Sequence, residues 1–153
     1  TDIFEAGLNY TGDFNEVHLE AALTGEWGDS DSALINDISA WNAGVLVGYA
    51  GFSVAGSYGD WQDSTQLVTS TADDSDYWTL GAGYEQGPFG ISVTYLDSSY
   101  SDNDLNLVSF GADYQVAPGL VPYVEVNVFD ADEAGTTVDN DGTVVLAGAQ
   151  LTF

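Results

Sequence analysis

Trp78-Thr79-Leu80-Gly81-Ala82-Gly83-Tyr84, Glu85-Gln86-Gly87-Pro88 and Phe89-Gly90-Ile91-Ser92-Val93-Thr94-Tyr95 follow one another without interruption and read as a single β-hairpin. Apolar and small or polar residues alternate strictly on both arms, the period of a strand with two unlike faces. Trp78, Leu80, Ala82 and Tyr84 share one face, and Phe89, Ile91, Val93 and Tyr95 continue it after the turn. Each end of that apolar face carries rings: Tyr84 and Phe89 beside the turn, Trp78 and Tyr95 at the open end. Trp and Tyr settle at membrane–water interfaces, and a tilted strand of about nine to eleven residues crosses the hydrocarbon. The hairpin therefore predicts a β-sheet that spans a bilayer.

The same pattern recurs on both sides of it. Gly7-Leu8-Asn9-Tyr10 and Gly111-Ala112-Asp113-Tyr114 are near copies of Gly81-Ala82-Gly83-Tyr84, and Gly44-Val45-Leu46-Val47-Gly48-Tyr49 is a looser one. The last run ends in Phe153, so anchor rings stand at 10, 49, 84, 114 and 153, spaced by 30 to 39 residues. That spacing holds two strands and two connections. Nine alternating segments result. Short turns are expected at Thr11-Gly12-Asp13, Ala50-Gly51, Gln86-Gly87-Pro88 and Ala117-Pro118-Gly119, and long polar loops at about 28–39, 63–76, 97–104 and 131–142. Short turns on one rim and long loops on the other characterise outer-membrane barrels. One aromatic girdle would hold Tyr10, Phe14, Tyr49, Phe52, Tyr84, Phe89, Tyr114 and Phe153; the other would hold Trp27, Trp41, Trp61, Trp78 and Tyr95. A soluble β-sandwich also alternates, but nothing in it asks for rings at both ends of the inward face. Leu46, Val144 and Leu146 fall on the wet face and are expected under a loop or at a subunit contact.

Composition narrows the partners. No run approaches the roughly 18–20 apolar residues of a membrane-spanning helix. There is no Cys, and Thr1 opens neither with Met nor with a signal peptide, so a processed or truncated N-terminus is expected. The chain carries 25 acids, one His and neither Lys nor Arg, a net charge of −25. Nucleic acid is excluded as a partner, since phosphates require basic side chains. Anionic headgroups could be met only through divalent cations. Catalysis finds no support: Gly81, Gly83 and Gly87 miss the dinucleotide spacing, and the lone His makes no readable triad.

The candidate lumen residues are Glu5, Glu16, His18, Glu20, Glu85, Asp113 and Glu125. Carboxylates on a pore wall concentrate cations; the plainer reading is that any polar residue faces water inside a wide barrel. His18, between Glu16 and Glu20, resembles a crude metal site, although a solvated imidazole is the simpler account. Asp130, Asp132, Gly135 and Asp141 follow part of an EF-hand spacing, but Ala134 interrupts it and Asp141 stands where Glu is required. Asp139-Asn140-Asp141-Gly142 likewise lacks its outer ligands. Weak calcium binding at Asp130, Asp132, Asp139 and Asp141 is the only cofactor expected, bridging loops to lipopolysaccharide phosphates or to neighbouring chains.

With Gly-Leu-Asn-Tyr-Thr-Gly-Asp-Phe at 7–14, the Gly-Ala-x-Tyr strands and alternating apolars ending in Phe153, the chain resembles a Gram-negative general porin of the alphaproteobacterial type over its whole length. The resemblance implies an all-β transmembrane barrel of about 16 strands, a trimer in the outer membrane, and a passive water-filled channel for small hydrophilic solutes. It implies that Phe153 is an assembly signal. It also implies a constriction where an acidic inward loop faces a basic cluster, both mainly in the part of the family this chain lacks. Nine strands cannot close, because the first and last run in the same direction and antiparallel barrels need an even number. Residues 1–153 are thus expected to be one partial-barrel region, a C-terminal portion whose partners include about seven upstream strands. A trypsin-like protease cuts after Lys or Arg, so a stretch with neither would survive whole from Thr1. Two alternatives stand beside the porin: β-rich filaments or tubes built through open sheet edges, and a soluble acidic calcium-binding β-domain.

Overall fold

Alternation of β-branched or aromatic residues with small and polar ones builds nine strands: β1 (Ile3–Phe14), β2 (Val17–Gly28), β3 (Ile38–Tyr49), β4 (Phe52–Gln62), β5 (Ser75–Gln86), β6 (Phe89–Tyr100), β7 (Asn103–Tyr114), β8 (Leu120–Asp132) and β9 (Asn140–Leu151). The computed structural model describes residues 2–62, 64, 66–70, 74–100, 103–135 and 140–152. Each strand pairs antiparallel with the next, in the order β1 to β9, giving one sheet in a single layer. The ring is not closed: β1 and β9 are its two edges.

Directly opposed residues share a face, so the register carries one parity across the sheet. Leu8 lies opposite Leu23, Leu23 opposite Ala43, Ala43 opposite Tyr58 and Tyr58 opposite Trp78. Val54, Ala82, Val93, Phe110, Val126 and Val145 form a second row. These rows make a continuous apolar face, and it is bare. Leu8 is 73% exposed and Leu151 61%, and Ala40 is the only buried hydrophobic residue among those described. The accessible surface is 10286 Å²; a compact globule of 16.1 kDa would show about 7,400 Å². The described residues enclose no core, which removes the sandwich.

The dimensions suit a bilayer. Phe4 to Phe14 on β1 covers about 33 Å of strand, which at the usual barrel tilt becomes an apolar band about 25 Å high. Among the described residues, carboxylates appear on this face only at the long-loop end, level with the Trp girdle or beyond it: Asp60 opposite Trp41 and Asp76, Asp97 opposite Trp78, Asp104 opposite Asp132 and Asp130 opposite Asp141.

Several boundaries differ from the sequence expectation. β1 continues through Thr11-Gly12-Asp13, and the first turn is Asn15-Glu16. The Tyr10 ring lies over Gly12, filling the space a side chain would take there, so glycine extends the strand instead of ending it. The loop expected at 97–104 is mostly strand, because β6 and β7 stay paired up to Tyr100 and Asn103. Trp61 leaves the Trp girdle: a register shift between Asp60 and Gln62 accompanies it, and its ring packs on Tyr77 of the other face, 5.3 Å away.

Candidate pore-facing surface

The face opposite the apolar one is built by the remaining parity. Glu5, Gly7, Asn9, Thr11 and Asp13 of β1 continue into His18, Glu20, Thr24 and Glu26 of β2, and onward to Glu85, Asp113 and Glu125. Glu5, His18, Glu20, Glu85, Asp113 and Glu125 thus share one surface. Glu16 does not join them, because it sits in the exposed Asn15-Glu16 turn at the rim. Asp13 and Glu26 belong to the surface and were missed by the sequence reading. Parity was the available signal: Asp13 matches Glu5, and Glu26 matches His18 and Glu20.

At the short-turn end, His18 stands directly opposite Asp13. Its Nδ1 lies 2.7 Å from Asp13 Oδ1 and its Nε2 3.0 Å from Glu20 Oε1. Carboxylates only accept, so both contacts are satisfied together by the imidazolium form alone. Asp13, rather than Glu16, is the second acidic neighbour of the ring. Glu85 and Asp113 flank Gly90, over which the Asp113 carboxylate folds. Farther along, Ser109 Oγ donates to Asn127 Oδ1 at 2.5 Å and Asn127 Nδ2 donates to Glu125 Oε1 at 2.6 Å, which fixes the orientation of that carboxylate.

Mid-wall, Ala22, Gly44, Leu46, Ala55 and Gly81 leave a shallow groove of about 480 Å³. Leu46 is half-buried there, whereas Val144 and Leu146 remain 43% and 47% exposed. At the long-loop end, Glu5, Glu26, Asn42 and Trp61 line a cavity of about 500 Å³. The loops above β2 and β4 are laced together: Asn36 N donates to Gln66 O at 2.8 Å, and Val68 N donates to Leu34 O at 3.0 Å. Ser64 Oγ accepts from Ser39 N at 2.8 Å and donates to Ser39 O at 2.9 Å.

The aromatic girdles stand on the opposite, apolar face. Trp27 stacks with Phe4 at 6.1 Å, Trp41 meets Tyr58 at 5.4 Å and Trp78 meets Tyr95 at 4.9 Å. Tyr10 and Phe14 (6.4 Å) and Phe52 and Tyr84 (4.3 Å) mark the other rim, with Tyr49 opposite Phe52 and Tyr114 opposite Phe89. Asp130, Asp132 and Asp141 lie in paired strands, not in a wrapped loop. Asp130 and Asp141 face each other across neighbouring strands, but no three ligands converge on a metal among the described residues. Asp139 and Phe153 lie outside those residues.

The sequence model of Gram-negative porins matches residues 1–134. Uncharacterized proteins of Rickettsia conorii and Rickettsia typhi are 31% and 30% identical to this chain over 99% of its length, and it spans only 41% of each. Among solved structures, the chain is similar to OmpT, an outer membrane protein of Vibrio cholerae in its trimer form. That likeness has a TM-score of 0.56 and 14% identity, and covers 96% of this chain and 54% of OmpT.

Proposed function

Because the chain belongs to the Gram-negative porin family and to the outer membrane, we propose that it supplies part of the wall of a passive, water-filled channel for small hydrophilic solutes. One observation carries this reading: a single-layer sheet with a ring-bounded apolar face on one side and a carboxylate-bearing face on the other. Only a sheet between lipid and water rewards that division. The channel works without turnover. Solutes diffuse down their gradient, and Glu5, Glu20, Glu26, Glu85, Asp113 and Glu125 raise the local concentration of cations. The wall is completed by strands outside this chain, in a barrel of about 16 strands that assembles as a trimer. The relatives' greater length and the trimeric form of the similar outer-membrane protein support this arrangement.

Reconstitution into planar bilayers of the longer protein, with the strands that complete the barrel, tests the reading. Discrete current steps and a reversal potential favouring K⁺ over Cl⁻ are expected. A membrane-inserted protein that leaves the bilayer insulating would refute it.

A further inference from the structure

Glu5 and Glu26 are direct cross-strand partners near the long-loop end of the wet face. Like charges so placed repel, and a chain with neither Lys nor Arg offers no side-chain ammonium or guanidinium to neutralise them. Both line the cavity of about 500 Å³ that Asn42 and Trp61 also line. That volume lies within the range of small-molecule sites.

Trp61 is what makes the cavity more than an acidic corner. Alternation places it on the wet face, where its indole would otherwise have no lipid interface to occupy. It is 45% exposed and held at 5.3 Å from the Tyr77 ring. Tyr77 in turn lies over Gly59, in the space a Cβ would need. The glycine admits one ring and that ring props the other, so an aromatic surface is fixed beside two carboxylates that no Lys or Arg of these 153 residues neutralises.

We propose that this cavity is a binding subsite for organic cations bearing a quaternary ammonium or guanidinium head. Such a head gains from the π-face of Trp61 as well as from Glu5 and Glu26, while the Asn42 amide supplies a neutral acceptor. A bare metal ion gains nothing from the indole, and no three-carboxylate group is present among the described residues to replace its water shell. A neutral sugar would stack on the ring but leave the carboxylate pair uncompensated. The inference rests on the reading of this face as pore wall, where it makes the subsite a cation-collecting step at the mouth.

Choline is the probe, added to the detergent-solubilised protein as isolated from its membrane. Binding is followed by isothermal titration calorimetry, and conductance is recorded separately in bilayers. Saturable binding is expected, weakened about fivefold by W61A and by E26Q, the loss of roughly 1 kcal/mol. W61F, which keeps a ring and guards against a folding defect, stays near wild type, as does D104N on the apolar-face rim. Equal titrations for wild type, W61A and E26Q overturn the inference. Equal weakening by D104N overturns it too, since the effect is then diffuse charge, and so does glucose displacing choline. Conductance without saturable choline binding overturns this inference alone. Choline binding without conductance overturns the pore reading and, with it, the subsite's role at a channel mouth.

Discussion

At the scale of the residue, solvent on each face decides what is tolerated. Leu80 sits mid-band on the apolar face, opposite Gly56 and Tyr95, while Thr94 lies on the other face opposite Gly81 and Ser109. L80R is expected to destabilise the lipid-reconstituted protein by about 2–4 kcal/mol, because lipid cannot solvate the charge. T94R, equally large and equally charged, should change the urea midpoint little, since its guanidinium reaches water. Equal losses for both variants would mean that the two faces do not differ in solvent. His18 supplies a second test. Clamped by Asp13 and Glu20, its imidazolium is a positive side chain on an otherwise acidic wall. H18Q keeps a polar side chain and removes the charge. The K⁺/Cl⁻ permeability ratio, read from reversal potentials in a KCl gradient, is expected to rise; an unchanged ratio would place His18 outside the ion path.

At the scale of the element, hairpins are fixed by their turns and by bonds between neighbouring turns. Ala50 and Gly51 both have positive φ, 51° and 85°, as a two-residue turn matching strand twist requires. Gly51 O also accepts from Glu85 N at 2.8 Å, tying this turn to the start of the next. A Cβ on Gly51 would lie 2.4 Å from the Glu85 carbonyl oxygen, whereas one on Gly87 (φ 59°) would meet nothing within 4 Å. G51A should therefore cost about 1–3 kcal/mol and G87A about 1 kcal/mol, compared by urea unfolding in lipid. Matching costs would remove the inter-turn staple as a contributor. The turns Ala50-Gly51 and Gly87-Pro88 were legible from residue type, and so were the strand parities and the girdle residues other than Trp61 and Phe153. The Asn15-Glu16 turn was not: Thr11-Gly12-Asp13 carries stronger turn formers, and only the Tyr10 ring over Gly12 shows why the strand runs on. Asp97 to Asp104 read as loop because both faces there are largely polar, which is what paired strands show once they rise above the bilayer. On the wet face Glu5, Glu20 and Glu125 followed from alternation. The Asp13–His18 pair required the register, and the Trp61–Tyr77–Gly59 stack was hidden because Trp61 was sorted by its chemistry and not by its parity.

At the scale of the whole molecule, parity and charge set what this sheet does by itself. β1 and β9 run in the same direction and both present unpaired backbone edges. Inside a bilayer each unmatched N–H or C=O costs several kcal/mol, so a lone nine-stranded sheet is not a stable spanning structure. Antiparallel closure demands an odd number of further strands between β9 and β1; a second copy has nine, but it meets both seams only upside down, with its long loops on the wrong rim. Produced alone, residues 1–153 should consequently give no discrete channel steps, and should instead associate through their edges. The net charge of −25 opposes that association, and its opposition is screened by salt over about 8 Å at 0.15 M. Association measured by light scattering should thus accelerate as NaCl is raised from about 0.01 M to 0.15 M. Amide exchange gives the matching local readout: in the isolated chain the outer edges of β1 and β9 exchange fast while β4 to β6 are protected. In a longer chain that closes the barrel, the protection of β1 and β9 should rise to that of the central strands. Discrete, reproducible conductance from the isolated 153 residues, with β1 and β9 already protected, would show that the sheet closes without strands from outside this sequence.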